Sequence, residues 1–245
     1  MRPAVTALGL VVGWEALVWL SGLPPYILPP PSRVAVVLFE RSGLLIEQAA
    51  WTASEMVLGL VLGLVLGAAL AVIFAASATW RRWALPLVIV SQAIPVIAIA
   101  PLLVLWLGYG MASKVAMAAL IIFFPVVSNL YDGLRRTDPG WLELARTMNA
   151  PPHAVLLQIR LPAALPAFAS GMRIAAAVAP IGAVIGEWVG ASAGLGFLMT
   201  QSLARGQTPL AFAALTILCL LGLVLYTAAD RLGRRLVPWQ SHQGD

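Results

Sequence analysis

The 245-residue chain is 61% hydrophobic and only 10% charged, with a net charge of +5 and a mean hydropathy of +0.92. A soluble domain carries about 25% charged residues, so this composition excludes a water-exposed globule and points to a polytopic membrane protein. The positive balance is not a nucleic-acid signature: no basic stripe with interleaved aromatics occurs, and thirteen of the fourteen arginines lie between apolar segments or at their edges.

The first apolar segment covers 4–20. Its positive start resembles a signal peptide, yet no small-residue cleavage site follows, so it reads as an uncleaved span. LPPYILPPPSR then breaks any helix, because proline lacks an N–H and restricts its neighbour. An amphipathic piece over 34–48 is expected to lie on the membrane surface. Five further spans are expected over 51–75, 85–107, 114–130, 166–189 and 210–226, each near the ~20 apolar residues that a bilayer core requires.

Small residues mark where helices must meet. Gly59, Gly63 and Gly67 repeat every four residues in the second span. The fifth span carries one row of Gly171, Ala175, Ala179 and Ala183 and another of Gly182, Gly186 and Gly190. Such rows let backbones approach closely in lipid. Prolines 86, 95, 101, 125 and 180 fall inside spans and free backbone carbonyls that need other partners.

Arg2, Arg81, Arg82, Arg135, Arg136, Arg146, Arg160, Arg231, Arg234 and Arg235 fall on one side of this six-span arrangement. Arg33, Arg41, Lys114 and Arg205 fall on the other. The positive-inside rule makes the richer side cytoplasmic, with both termini and the 138–163 loop.

Several chemistries are missing. The one lysine, Lys114, follows Ser113, where a phosphate-cradling P-loop needs glycine. His153 and His242 are far apart, and no Cys/His cluster has metal-ligand spacing. A G-x-S-x-G nucleophile elbow is absent. The chain is therefore expected to be non-catalytic, with no metal and no cofactor of its own. Charges inside spans are costly. Glu15 lies mid-span, Glu55 and Glu187 nearer the outer ends, and Arg173 near an inner end where it can snorkel. A secondary transporter or channel would have to use Glu15, Glu55 and Glu187. Three carboxylates on separate helices make a poor proton relay.

The polar stretch ELARTMNAPPHAVLLQIRLPAALP stands apart. Asp138 caps a short helix over 143–149, Pro139 suits its first turn, and Asn149 can take the left-handed conformation that ends it. A second helix over 153–159 then leads to Leu161-Pro162 and the fifth span. The apolar residues Leu144, Met148, Val155, Leu156 and Ile159 either fill a groove on another protein or rest on the membrane.

This segment resembles the EAA loop of ABC importer permeases, E-A-A-x3-G-x9-I-x-L-P. Glu143, Ala145, Ile159, Leu161 and Pro162 match, Leu144 replaces an alanine, and Asn149 replaces the glycine. The resemblance extends over nearly the whole chain, including LPPPSRV and the ending RRLVPW, and is to the branch serving sulfonates, taurine, nitrate and pyrimidine precursors. It implies an all-α membrane protein with six transmembrane helices in the type I importer arrangement, a single domain over 1–245, in the cell inner membrane. The coupling loop, with Glu143, Leu144, Ala145, Arg146, Met148, Asn149, Ile159, Leu161 and Pro162, then docks onto cytoplasmic ATPase subunits that bind ATP and Mg. One loop per chain and two ATPase clefts imply a second permease copy, most simply a homodimer. An extracytoplasmic binding protein delivers substrate, and the stretch 190–207 is either its contact or a plain re-entrant turn. Along the pathway the expected residues are Gln92, Trp106, Asn129, Glu187, Trp188 and Gln201. Their mixed polar and aromatic character leans towards a neutral heterocycle. The stretch from AIAPLLVLW to DPGW looks most similar to permeases for thiamine-precursor pyrimidines. Sulfonate, taurine or nitrate is the alternative, and an ATP-independent transporter a more distant one.

Overall fold

A computed structural model describes residues 2–239, so His242 lies outside the described residues. All regular structure among them is helical: α1 (Arg2–Ser21), α2 (Pro31–Glu40), α3 (Ser42–Ala76), α4 (Ala78–Ser91), α5 (Val96–Leu107), α6 (Met111–Arg135), α7 (Pro139–Thr147), α8 (Pro152–Ala154), a π-helical turn over Val155–Arg160, α9 (Leu161–Gly190), α10 (Leu195–Ala204) and α11 (Thr208–Leu236). By length and composition α3, α6, α11 and the run Pro152–Gly190 can each cross a membrane, the bent pair α4–α5 adds a fifth crossing if it is one broken span and not a re-entrant loop, and α1 supplies the shorter apolar stretch Leu8–Ser21.

Three expectations are corrected. The surface helix over 34–48 is two elements. α2 stops at Glu40, and α3 starts at Ser42 and continues unbroken to Ala76. Nothing in EQAAWTASE interrupts a helix, so the 35-residue α3 is about 52 Å long and overshoots a bilayer core of ~30 Å. The span over 85–107 is likewise not straight: α4 and α5 meet at 102°. Pro95 cannot donate a helical bond and pushes Ile94 away from helical geometry, while Ser77 caps α4 by accepting from Trp80 N at 3.4 Å. Finally, the second loop helix and the fifth span form one continuous rod of 39 residues, Pro152–Gly190, about 58 Å long. Pro162 has no N–H to offer Gln158, and the backbone widens to a π turn in which Leu161 N donates to Leu156 O.

The small-residue rows set the packing. Gly59, Gly63 and Gly67 of α3 face Ala118, Ile122 and Val126 of α6. Both series rise by four residues, so the two helices run parallel. A Cβ on Gly67 would lie 2.7 Å from Val126 Cβ, and one on Gly182 of α9 would lie 2.6 Å from Ala118 Cα. Gly171, Gly182 and Gly186 meet Pro125, Ala118 and Lys114 in falling order, so α9 runs antiparallel to α6. Helix α6 is thus clasped between α3 and α9 with backbones in contact, and Ala118 touches both. Ala175, Ala179 and Ala183 are fully buried, and Ala175 and Ala179 pack with Ala118, Ile122 and Val126 of α6. What α9 leaves open is a narrow stripe, Ile174, Ala177, Ile181 and Trp188.

Candidate functional site

At the arginine-rich end, the 138–163 segment builds a groove. Asp138 Oδ1 accepts from Gly140 N at 2.7 Å and Pro139 fills the first turn, so α7 begins one turn before the expected 143. Its far end closes as the sequence suggests. Asn149 has φ +51°, and Ala150 N donates to Ala145 O while Asn149 N donates to Arg146 O, each at 2.9 Å. These are the two bonds of a Schellman cap, with asparagine in the position glycine usually holds. Ala145 is buried beneath, while Trp141, Leu144 and Met148 stand on one exposed face of α7. With Ile159, Pro162 and Trp239 they line an apolar cavity of about 580 Å³.

The expected loop residues divide by role. Leu144, Ala145, Met148, Ile159 and Pro162 line the groove. Glu143 is exposed on α7, and Asn149 makes the turn. Arg146 lies in a neighbouring cleft of about 340 Å³ with Leu142, Val155 and Arg160, whose Nε is buried without a hydrogen-bond partner. Leu161 is an anchor: with Leu156 it packs inward on Phe74, Leu130, Tyr131 and Leu134, joining the loop to α3 and α6. Trp141 and Trp239 were not among the expected residues. Trp141 starts the i, i+3, i+7 apolar series of α7 and was legible as such, whereas Trp239 reaches the groove only through the path of α11.

The expected pathway residues scatter over the single chain. Gln92 and Trp106 are exposed on the bent α4–α5 pair, and Trp188 stands on the open stripe of α9. Gln201 lines a cavity of about 430 Å³ with Gln48 and Arg205. Asn129 is half-buried at the α6–α9 crossing, where its Nδ2 donates to Pro125 O at 2.8 Å. Glu187 does not face the stripe; it is 1% exposed and turned towards α3. There Thr52 Oγ1 donates to its Oε1 at 2.6 Å and Gly196 N donates to its Oε2.

The other intramembrane charges also find partners. Ser32 N and Oγ donate to Glu15 at 3.0 and 2.9 Å. Arg173 pairs with Asp230 at 3.2 Å and donates to Ser170 Oγ at 3.0 Å. Lys114 Nζ donates to the carbonyls of Tyr109, Gly110 and Gly190 at 2.6, 3.0 and 3.3 Å, tying the α5–α6 turn to the end of α9. The expected separation of the carboxylates fails at one point: Glu55 and Glu187 come from different helices, yet both are buried and lie close together, and Glu55 Oε2 has no hydrogen-bond partner. No group of three or more metal-ligating side chains occurs among the described residues.

Residues 59–241 match the family described as binding-protein-dependent transport system inner membrane component. A probable ABC transporter permease protein of Haemophilus influenzae is 50% identical over 97% of this chain and 97% of its own length. The riboflavin transport system permease RibX of Chloroflexus aurantiacus is 43% identical over 97% and 89%. The formylaminopyrimidine transport permease ThiX of Halalkalibacterium halodurans is 38% identical over 99% and 97%. In fold, the chain is similar to an inward-facing structure of the MetNI methionine ABC transporter, with a TM-score of 0.70 and 21% identity over 80% of this chain and 98% of that one.

Proposed function

Because this chain belongs to the family of binding-protein-dependent transport inner-membrane components, the permease subunits of ABC importers, we propose that it moves a small aromatic heterocycle, of the thiamine-precursor pyrimidine class, inward across the membrane under the drive of ATPase subunits docked at the α7 groove. The chain itself is a multi-pass membrane protein and a non-catalytic transport subunit. The observation that carries the coupling reading is the groove: an exposed apolar face on a short helix, rigidly capped at both ends, at the foot of a 39-residue rod. Apolar surface of this kind, held at the arginine-rich end, suits burial by a protein partner. Arg146 and the unpartnered Nε of Arg160 add a basic cleft beside it for an acidic side chain of the ATPase.

The proposed cycle follows from stiffness. Movement of the ATPase pulls α7, which is tied through Leu156 and Leu161 to the α3–α6–α9 layer. That layer is packed backbone to backbone, so it rocks as a body instead of bending. ATP binding must favour one orientation by a few kcal/mol to drive the change. Each chain brings one groove, and a two-fold ATPase pair offers two clefts. A second copy, meeting this one along the open stripe of α9, completes the pathway. In this orientation both termini are cytoplasmic. A binding protein delivers substrate to the opposite end, where 190–207 lies. The substrate class is supported by the expected pathway groups, which carry little positive charge, and by relatives named for nitrogen heterocycles.

The test is purification of the permease with its partner ATPase. Glu143→Arg is expected to release the ATPase and abolish transport while leaving membrane insertion intact; a fully active variant refutes the docking assignment. A thermal-shift screen of the cognate binding protein against pyrimidines, thiamine and sulfonates tests the substrate, and stabilisation by sulfonates alone overturns it.

A further inference from the structure

The N-terminus of α10 is capped from outside its own segment. A helix leaves its first N–H groups without internal partners, and no side chain of the preceding loop serves them here. Instead three consecutive N–H groups are taken by two other helices. Gly194 N donates to Gln48 Oε1 at 2.7 Å, Leu195 N to Thr52 Oγ1 at 2.8 Å, and Gly196 N to Glu187 Oε2. The receivers are themselves joined, since the Thr52 hydroxyl donates to Glu187 Oε1 at 2.6 Å. Gln48 and Thr52 stand one turn apart on α3 and Glu187 sits on α9, with Thr52 and Glu187 essentially inaccessible to solvent.

The glycines of ASAGLGF fit this arrangement. Gly194 has φ +111°, and any side chain there would enter the Glu187 carboxylate; a Cβ on Gly196 would lie 2.7 Å from Glu187 Oε2. The far end of the hairpin is also held: Gln207 N donates to Ser202 O at 2.8 Å, and Thr208 Oγ1 donates to Tyr26 O at 2.8 Å. Both Glu187 oxygens are therefore engaged, one by α3 and one by α10, and the side chain is buried.

We infer that Gln48, Thr52 and Glu187 form a latch that fixes the short helix α10 to α3 and α9, so that this outer hairpin rides on the long rod as one body, and that Glu187 is a positioning residue that does not touch substrate. The latch lies at the opposite end of the rod from the α7 groove. Resting on the proposed coupling, it gives movement at the groove a stiff route to the outer face. Charge fits the site as well. Helix N-termini favour anionic acceptors, and Glu187 supplies one to α10. The titratable groups near it are Glu55 of α3 and, beside Glu55, Lys114 of α6; α10 itself carries none.

The experiment uses the assembled permease in lipid nanodiscs without nucleotide, so it stands or falls apart from the ATPase reading. Cys219, the one cysteine, is replaced by serine, and a nitroxide is placed on Leu203→Cys of α10 or, as a control, on Leu223→Cys of α11. Thr52→Val keeps the shape of threonine but removes the hydroxyl that links Leu195 N to Glu187. A mobile spectral component is expected at position 203 and not at 223, with Thr52→Ser restoring the immobile spectrum. Should Thr52→Val fail to insert, Gln48→Ala removes only the acceptor of Gly194 N and is expected to give the same mobile component, smaller in amplitude. An unchanged spectrum at 203 in the inserted variants, or equal loosening at 223, overturns the latch. So does a Glu187→Gln variant that keeps the hairpin immobile yet raises the KM for substrate at unchanged ATPase activity, which would mark direct substrate contact.

Discussion

Gly59 and Gly182 both press on Ala118, but on different atoms, and that difference predicts opposite outcomes from one compensating substitution. A methyl group added at Gly59 runs into the Ala118 methyl; beyond it, the nearest atoms are Ala118 Cα and Val115 O at 3.6 Å, ordinary contact. A methyl group added at Gly182 instead meets Ala118 Cα at 2.6 Å, about 1 Å inside normal carbon–carbon separation. Overpacking of this kind costs about 1–3 kcal/mol. In a chain of this size it lowers the melting temperature by roughly 2–12 °C, at 2–4 °C per kcal/mol. Ala118→Gly alone costs about 1 kcal/mol in helix propensity. Gly59→Ala with Ala118→Gly should then melt close to Ala118→Gly alone, a coupling of at least about 1 kcal/mol. Gly182→Ala with Ala118→Gly should recover nothing, because the obstructing atom is backbone. The assay is thermal unfolding of the three single variants, the two double variants and wild type in one detergent, followed by intrinsic fluorescence. If both pairs are rescued, or neither is, then the α3–α6–α9 layer is not packed as described.

Substitutions at two further positions probe the ends of the rod. Asn149→Gly keeps the left-handed turn and leaves transport unchanged, whereas Asn149→Val strains it at φ +51° by about 1–2 kcal/mol. The valine variant should show faster proteolysis within 138–163 and slower transport, and equal rates for the two variants would refute the role of the cap. Lys114→Met leaves the carbonyls of Tyr109, Gly110 and Gly190 without their ammonium donor and should cost about 1–3 kcal/mol. Thermal unfolding reads the loss, and a variant as stable as wild type would show that these carbonyls are served from elsewhere.

Parts of the site were legible because the signals were local. Asp138, Pro139 and Asn149 act on backbone groups within a few residues of themselves, so their order along the chain fixes the start and end of α7. The glycine rows were legible for a related reason, since a four-residue repeat puts every member on one helix face whatever the partner. The misreadings share the opposite cause. The second loop helix was expected over 153–159, separate from the fifth span, but one widened turn absorbs Pro162 and the rod continues. Pro95 was taken as a kink within one span, but together with the loose residues before it the chain turns through 102°. Glu187 was expected in the pathway because a carboxylate in an apolar span invites a functional role, and the proposed latch assigns it a different one. Its partners Gln48 and Thr52 lie far away in sequence, where no periodicity points to them.

By itself, then, the sequence determined that the chain is a bundle of membrane helices, where close backbone contact is possible, and which short polar elbow lies between spans. Composition, four-residue repeats and capping residues act through the solvent or through neighbours along the chain, and so need no fold to be read. Tertiary structure alone decided which helix each glycine row clasps, that the second loop helix and the fifth span are one stiff rod, and that Trp239 joins the groove. It also decided that Glu187 accepts from Gly196 N of α10, because hydrogen bonds and packing between distant segments depend on the three-dimensional path of the backbone, which no local pattern encodes.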